Sequence, residues 1–488
     1  MNFFRKYPLF LFLLPLFFVF HGFVEHYPSV PLKNAFFLVL VYLAAGTLIM
    51  GIIFWFFKDF QKAAMVAFVF LAFNFFFGNI QDLLEKHFEG TFFVRYLFIL
   101  PLCFILIFLM IVWVKNKKAP FHKSIVYLNV LFLLLLVMDV VRLSWILIEP
   151  VPLKSNALLT GSACDTCSRP DIYLIILDGY SGNTALRKKF GFDNSSFENE
   201  LRRKGFYVAA NSFSNYNYTP FSLASMLNMT YLDLNMKTKG PGNLNYAYSM
   251  IRENSVIGFL DQSNYEIHNY SIFDLKDRQA IHSDDFISTG TKLITSQTFL
   301  SRVWKDILFN INTGIWHSRF LQKRITYSHL HNNNEFISLT LNAAKTKERS
   351  KFVYTHLMMP HYPYYFNSKG SPLPLDSLVE GKQYSKRNYV EYLQYCNSRI
   401  IEMCDSILKL SAAPPVLMLA GDHGFRYFQE PDARQYYFNN LCAVHLPSGN
   451  YSGFYDSISL VNLFPVILNT QFQQRFPVKK DSTIFLWE

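Results

Sequence analysis

Five apolar stretches precede Pro150, each roughly 20 residues long, which is the length a hydrocarbon core demands of a helix. They run from Pro8 to Val24, Ala35 to Phe57, Ala63 to Leu83, Phe92 to Val114 and Ile125 to Ile148. Such runs exclude a wholly soluble fold and predict about five membrane-spanning helices. Pro15 and Pro101 fall inside them, where neighbouring helices can satisfy the freed backbone groups. Arg5 and Lys6 ahead of the first run resemble the start of a signal peptide. No small-residue cleavage site follows and further spans do, so the run reads as an uncleaved anchor.

The short loops set the orientation. Arg5, Lys6, Lys58, Lys62, Lys115, Lys117, Lys118 and Lys123 fall on one side. Glu25, Lys33, Asp82, Glu85, Lys86, Glu89 and Arg95 fall on the other, with little basic excess. The positive-inside rule places the N-terminus in the cytoplasm, and an odd number of spans then carries everything after Pro150 outside. The expected location is the bacterial cytoplasmic (inner) membrane. The formal charge of +11 comes from scattered Lys and Arg with no recognition motif, so nucleic acid is not an expected partner; the bilayer is. Asp139 and Arg142 read either as part of a lipid path or as an i,i+3 pair at the interface.

Three regions follow from composition: 1–150, a helical membrane domain; 151–170, a linker; and 171–488, an extracytoplasmic α/β sandwich. Cys164 and Cys167 in the linker lack a second pair to complete a zinc site and read as a local disulfide or idle thiols. Beyond the linker, Asp171–Leu177 is a continuous apolar run of the kind buried on both faces of a parallel sheet. Further strands are expected at Phe206–Ala209, Lys351–His356, Pro415–Ala420 and Leu441–Leu446. Helices are expected from Ser195 to about Lys204, near Lys386–Leu410 and near Ser457–Leu468.

Two of the apolar strands run into carboxylates, one at Asp178-Gly179 and the other at Gly421-Asp422-His423-Gly424. Ligands of open parallel sheets bind beyond the carboxyl ends of strands, so Asp178, Asp422 and His423 could share one crevice and hold zinc or manganese. Taken alone, an Asp-Gly after a strand is the sequence of a turn. Thr219-Pro220 opens a helix that includes Ser222. The threonine reads either as a plain N-cap or as a hydroxyl placed in the positive field of a helix start, where an alkoxide and an incoming phosphate or sulfate are favoured. A further strand leads to His356 and then to His361, which lies between Pro360 and Pro363 and suits binding of an anionic oxygen. His356 could instead be packed. Arg426 and Arg434 could meet an anionic substrate or simply be solvated, His445 could be a second ligand or a packed histidine, and Cys396, Cys404 and Cys442 read as buried thiols.

Together these segments resemble the alkaline phosphatase/sulfatase superfamily over the chain after Arg169. Asp178-Gly179, Thr219-x-x-Ser222, Pro360-His361-x-Pro363 and Asp422-His423-Gly424 occur in that family's order. The layout of spans and external domain is similar to lipoteichoic acid synthases and phosphoethanolamine transferases. The resemblance implies one divalent metal, zinc or manganese rather than calcium or magnesium, held by Asp178, Thr219, Asp422 and His423. It implies Thr219 and His361 as catalytic residues, with His361, His356, Ser222 and Arg426 as substrate contacts. The implied activity is phospho-headgroup transfer from a membrane lipid donor to an envelope glycan or lipid acceptor through a phosphothreonine. Alternatives are a phosphodiester or sulfate-ester hydrolase and a non-catalytic envelope scaffold retaining the fold. The chain departs from formylglycine sulfatases: Thr219-Pro-Phe-Ser-Leu223 has neither the convertible Cys or Ser nor the arginine of that motif.

Overall fold

The computed structural model describes residues 2–27, 30–88, 91–118, 120–148, 167–234, 241–282, 290–312, 318–379 and 381–487. They form two compact units, Met1–Leu153 with Asp285–Leu308, and Lys154–Asp284 with Phe309–Glu488. Residues 151–166 of the expected linker, Cys164 among them, lie outside the described residues. Cys167 is disulfide-bonded.

The first unit contains α1 (Asn2–Lys6), α2 (Phe10–Glu25), α3 (Leu32–Phe57), α4 (Phe60–Phe88), α5 (Tyr96–Asn116) and α6 (His122–Ile148). Four of these, α3 to α6, are long and apolar enough to cross a membrane. The chain is an integral membrane protein. The first expected span is shorter: α2 has 16 residues, about 24 Å at 1.5 Å per residue, against a core of about 30 Å.

That short helix is nonetheless the middle of the bundle. Phe10, Leu14, Phe18 and Val24 of α2 are buried, and the helix packs on α3, α4 and α6. By contrast α3 leaves Phe36, Phe37, Leu48 and Trp55 exposed, a surface suited only to lipid. Polar residues of α6 clasp α2 near both ends. The buried Asn129 accepts from Phe10 N at 2.7 Å and donates to Tyr7 O at 2.9 Å, satisfying backbone groups that a helix start leaves orphaned. Asp139 lies 3.0 Å from Nδ1 of His21. The expected Asp139–Arg142 pairing is not formed among the described residues: the buried carboxylate turns inward to α2, while Arg142 is exposed.

The helical unit also takes in a stretch that the sequence places in the external domain. Leu293 and Ile294 join its apolar core, and Arg302 Nη2 contacts both carboxylate oxygens of Asp82 at 2.8 Å. The expected boundary of one continuous domain over 171–488 is therefore interrupted.

The second unit is built on a six-stranded sheet in the order β2-β6-β5-β1-β4-β3. The strands are β1 (Ile172–Leu177), β2 (Tyr207–Val208), β3 (Glu266–Tyr270), β4 (Lys351–Leu357), β5 (Val416–Gly421) and β6 (Cys442–His445). β3, β4, β1 and β5 run parallel, and β6 pairs antiparallel with β5 and β2. Every residue of β1, β4 and β5 is buried, so both faces of the sheet centre are covered. The helix Lys386–Leu410 matches its expected limits, and the last helix runs Leu460–Phe472.

Candidate active site

Strand register assembles the first part of the site. Leu177, the last residue of β1, is level with Leu357 of β4 and Gly421 of β5. The next residues on β1 and β5 are Asp178 and Asp422, so two carboxylates emerge side by side from adjacent parallel strands. His356 is level with Ile176, one step earlier on β4, and its Nε2 lies 3.2 Å from Asp178 Oδ2. The chain turns at once after Asp178 through Gly179, whose φ of +69° suits glycine. Gly179 N donates to Asp422 Oδ1 at 2.9 Å, locking the two strand ends together. A Cβ on Gly179 would sit 3.7 Å from His361 and 3.8 Å from His423, so the turn is threaded between two imidazoles.

The second part comes from the helix Thr219–Asn228. Its N-cap is Tyr218, one residue earlier than expected, and no side chain caps it. Thr219 is thus not a capping residue. Its hydroxyl lies 3.3 Å from His423 Nε2 and 3.5 Å from Asp178 Oδ2. The approach to this helix is pinned by two asparagines. Asn215 accepts from Val461 N at 2.7 Å, and Asn217 accepts from Leu486 N at 2.8 Å. Ser222, expected to touch substrate, is buried and donates to the backbone O of Asp422 at 2.6 Å. It ties the first helical turn to the β5 loop instead of presenting itself to a ligand.

Asp178, Thr219, His356, Asp422 and His423 therefore converge, all buried. Ligand atoms of Asp178, His356 and Asp422 lie within 4.8 Å of one another. The separations around the cluster are 3.3 Å from His423 Nε2 to Asp422 Oδ2 and 3.7 Å to Asp178 Oδ1. Ligands bonded at about 2.0–2.2 Å in a tetrahedral zinc site stand roughly 3.3–3.6 Å apart, so these atoms have the spacing of a coordination shell. Asp178 Oδ1 and Asp422 Oδ2 are buried with no hydrogen-bond partner. Orphaned carboxylate oxygens are costly in a dry interior, and a cation satisfies them. The donor set of carboxylates, imidazoles and a hydroxyl fits a divalent metal.

The electrostatics agree with the geometry. Burial and the neighbouring Asp178 push the Asp422 carboxyl up to about 6. Burial opposes ionisation of Asp178 as well, but His361, His356 and His423 around it hold it well below the usual carboxylate range. Burial and the Arg426 charge push His423 down to about 3, leaving a neutral imidazole. Its Nδ1 faces the carbonyl of Gly424 at 2.7 Å and so carries the proton, which leaves the Nε2 lone pair turned to the cluster.

His361 stands beside this group across Gly179. Its Nδ1 faces Tyr362 O at 2.6 Å, so Nε2 is the acceptor, and the Tyr427 hydroxyl donates to it at 3.2 Å. Arg426 is half-buried, with Nη1 donating to Asn217 O at 3.2 Å and its guanidinium 4.8 Å from the Tyr218 ring centre. Other expectations fall elsewhere. His445 pairs with Leu417 at the start of β5, the sheet end opposite the carboxylates, so it is not a second ligand. Arg434 stacks on Trp487 at 4.6 Å. Cys396, Cys404 and Cys442 are buried free thiols.

Sequence reasoning left His356 between packed and substrate-binding, because a histidine inside an apolar strand has no local signature. It missed Asn215 and Asn217, although polar alternation just before Thr-Pro was a signal. It missed Tyr427, which no motif marks.

No protein-family model matches the chain, and no curated protein matches it. Among solved structures it is similar to the C-terminal periplasmic domain of EcEptC from Escherichia coli in complex with Zn, at 11% identity over 67% of this chain and 93% of that one, with a TM-score of 0.41. It is also similar to the integral membrane protein lipooligosaccharide phosphoethanolamine transferase A (EptA) from Neisseria meningitidis, at 12% identity over 95% of each chain and a TM-score of 0.39. A third is the C-terminal periplasmic domain of phosphoethanolamine transferase EptC from Campylobacter jejuni, at 14% identity over 63% of this chain and 91% of that one, with a TM-score of 0.36. At these identities and scores the likeness is one of fold and carries no argument about chemistry.

Proposed function

We propose that the chain is a membrane-anchored, metal-dependent phospho-headgroup transferase. In this reading it moves a headgroup from a lipid donor to a hydroxyl of an envelope glycan or lipid, through a covalent phosphothreonine at Thr219. One arrangement supports it above all. A buried hydroxyl on the first turn of a helix lies within 3.5 Å of Asp178 and His423, beside two carboxylate oxygens that lack hydrogen-bond partners. This is also the chemistry implied by resemblance to the alkaline phosphatase/sulfatase superfamily.

Asp178, Asp422, His423 and the Thr219 oxygen would hold one divalent ion, zinc or manganese, with His356 as an adjacent imidazole. Such an ion, when bound, lowers the pKa of a neighbouring hydroxyl and offsets negative charge on a phosphoryl oxygen. The helix start behind Thr219 favours the same anionic oxygens. Thr219 Oγ1 forms a bond to phosphorus as the bond from phosphorus to the lipid alcohol breaks, and the proton lost by threonine balances the one gained by that alcohol. The acceptor hydroxyl then attacks the phosphothreonine, and Thr219 recovers its proton. His361 binds the transferred group or assists proton transfer, and Arg426 draws in its negative charge. The helical unit keeps the active site at the leaflet that holds the donor, replacing a search in three dimensions with a local one. The proposed setting is the cytoplasmic membrane, with the N-terminus inside and the sheet unit outside.

The test is to incubate the purified full-length protein with zinc and a phospholipid labelled in its headgroup, quench in acid and analyse the Thr219 peptide by mass spectrometry. Wild type should carry the headgroup phosphate on Thr219, and Thr219→Ala should carry none. Label retained by Thr219→Ala removes the nucleophile assignment. Free headgroup as the sole product in the presence of envelope extract makes the enzyme a hydrolase.

A further inference from the structure

The stretch 290–308 belongs to the helical unit although about 140 residues of chain separate it from α6. Its depth along the membrane helices can be read from their geometry. α4 starts at Phe60 directly after the exposed Lys58 and Asp59, and Lys62 Nζ donates to Lys115 O at 2.9 Å, so this end lies at a water boundary. At 1.5 Å per residue, Phe73 and Asn74 stand about 20 Å along α4, Phe77 about 26 Å and Asp82 about 33 Å. A hydrocarbon core is about 30 Å thick.

The stretch touches α4 below the far boundary. Phe299 packs on Phe73 and Phe77 with ring centres 4.8 and 5.1 Å apart. Leu300 N donates to Asn74 Oδ1 at 3.3 Å, and Gly78 N donates to Gln297 O at 2.8 Å. At the boundary itself Arg302 Nη2 and Gln297 Nε2 both donate to Asp82, at 2.8 and 3.2 Å. On α2 the seat is Gly22, about 18 Å along from Phe10, where a Cβ would come 2.9 Å from the Ile294 side chain. Gly22 and Gly78 are thus the two places where the incoming chain approaches too closely for a side chain.

Polar groups at this depth are satisfied, as a dry surrounding requires. Ser296 N donates to Lys292 O at 2.9 Å, Thr298 N to Thr295 O at 2.9 Å, and Arg302 Nε to Ser296 O at 3.2 Å. The helix Phe299–Asn312 turns Phe299 and Arg302 toward α4. Leu300 and Trp304, one turn apart on an adjacent face, are 68% and 50% exposed. The N-terminal end of that outward face lies at hydrocarbon depth, since Phe299 and Leu300 meet Phe73 and Asn74 of α4.

We propose that residues 292–304 form a re-entrant segment seated in the leaflet opposite Lys58 and Lys115, with Leu300 and Trp304 against lipid acyl chains. The segment completes the bundle above α2, whose 16 residues fall about 6 Å short of the core thickness. Leu293 and Ile294 join the apolar core there, with Ile294 packed on Gly22 near the end of α2. Membrane contact therefore includes a stretch outside the spanning helices, contributed by chain that interrupts the sheet unit.

The test uses the full chain in proteoliposomes, in a Cys103→Ala background, with nitroxide labels at Leu300→Cys, Trp304→Cys and, as the aqueous reference, Lys118→Cys. Relaxation by oxygen, which concentrates in hydrocarbon, is compared with relaxation by a water-soluble nickel chelate. The expected oxygen-to-nickel ratio is above one at 300 and 304 and below one at 118. A ratio below one at 300 and 304 places them in water, and weak relaxation by both reagents places them under protein; either overturns the proposal. Bromolipid quenching of the unlabelled chain is the check that needs no cysteine. Trp304→Phe should lose a quenched component of the fluorescence, and loss of an unquenched component overturns the proposal.

Discussion

Replacing Asp422 by asparagine should make the metal-free protein more stable and the metal-loaded protein less so. The Asp422 carboxyl is fully buried, and its pKa rises from 3.8 to about 6, first through burial and then through the charge of Asp178. The native state therefore holds this proton more tightly than the unfolded chain. Stability is greatest below the unfolded value and is lost as pH rises through about 6. That rise corresponds to about 3 kcal/mol, lost in full at pH 7.5. Asparagine has nearly the same shape, keeps an oxygen to accept from Gly179 N, and carries no charge. Without metal it should recover most of that amount, roughly 3–5 °C in Tm for a unit of this size. With enough zinc the order reverses. Metal at 1,000 times its Kd stabilises wild type by about 4.1 kcal/mol, and the variant loses this with its ligand. The assay is thermal unfolding of full-length protein in detergent, followed by intrinsic fluorescence, with EDTA and with excess zinc. If Asp422→Asn is less stable than wild type in EDTA, the carboxylate is not held at a cost, and the reasoning from orphaned oxygens to a metal centre fails.

Three further outcomes can be checked independently. Zinc binding should release close to one proton at pH 5.5, where Asp422 is mostly protonated, and almost none from it at pH 8; calorimetry in buffers of different ionisation enthalpy measures this, and equal release at both pH values contradicts it. Ser222→Ala strips a buried carbonyl of its donor and should cost about 1–3 kcal/mol of stability while weakening zinc binding; unchanged stability would show that water replaces the bond. Asn129→Ala should lower the thermal stability of the helical unit by a similar amount, because Phe10 N at the start of α2 and the carbonyls of Phe4 and Tyr7 ahead of it lose their partner. A value indistinguishable from wild type in detergent would mean that α2 is held by its apolar faces alone.

Much of this fold is legible in the sequence because its central strands are buried on both sides. β1, β4 and β5 are short apolar runs that end in polar residues, and position at the strand end is what aligns the carboxylates. Helix Lys386–Leu410 is long and periodic, so its limits are visible. β3 is not, because Glu266, His268 and Tyr270 alternate with only two buried positions on an edge strand. His356 is hidden for the opposite reason, since nothing local distinguishes a strand histidine that meets a carboxylate from one that is packed. The carboxylates, imidazole and threonine could be grouped by chemistry, whereas the role of Ser222 depends on a contact 200 residues away. The stretch 290–308 was illegible because its partners, Gly22, Gly78 and Asp82, belong to membrane helices far away in sequence.

Because register between β1 and β5 is what sets the two carboxylates abreast, pairing the central strands and placing Asp178 beside Asp422 are a single event. No loop needs to close to bring these two carboxylates together, because each directly follows its strand. The amides of β1 and β5 should exchange with solvent only as fast as the whole unit opens, and loss of the metal should leave their slowest rates ordered as before.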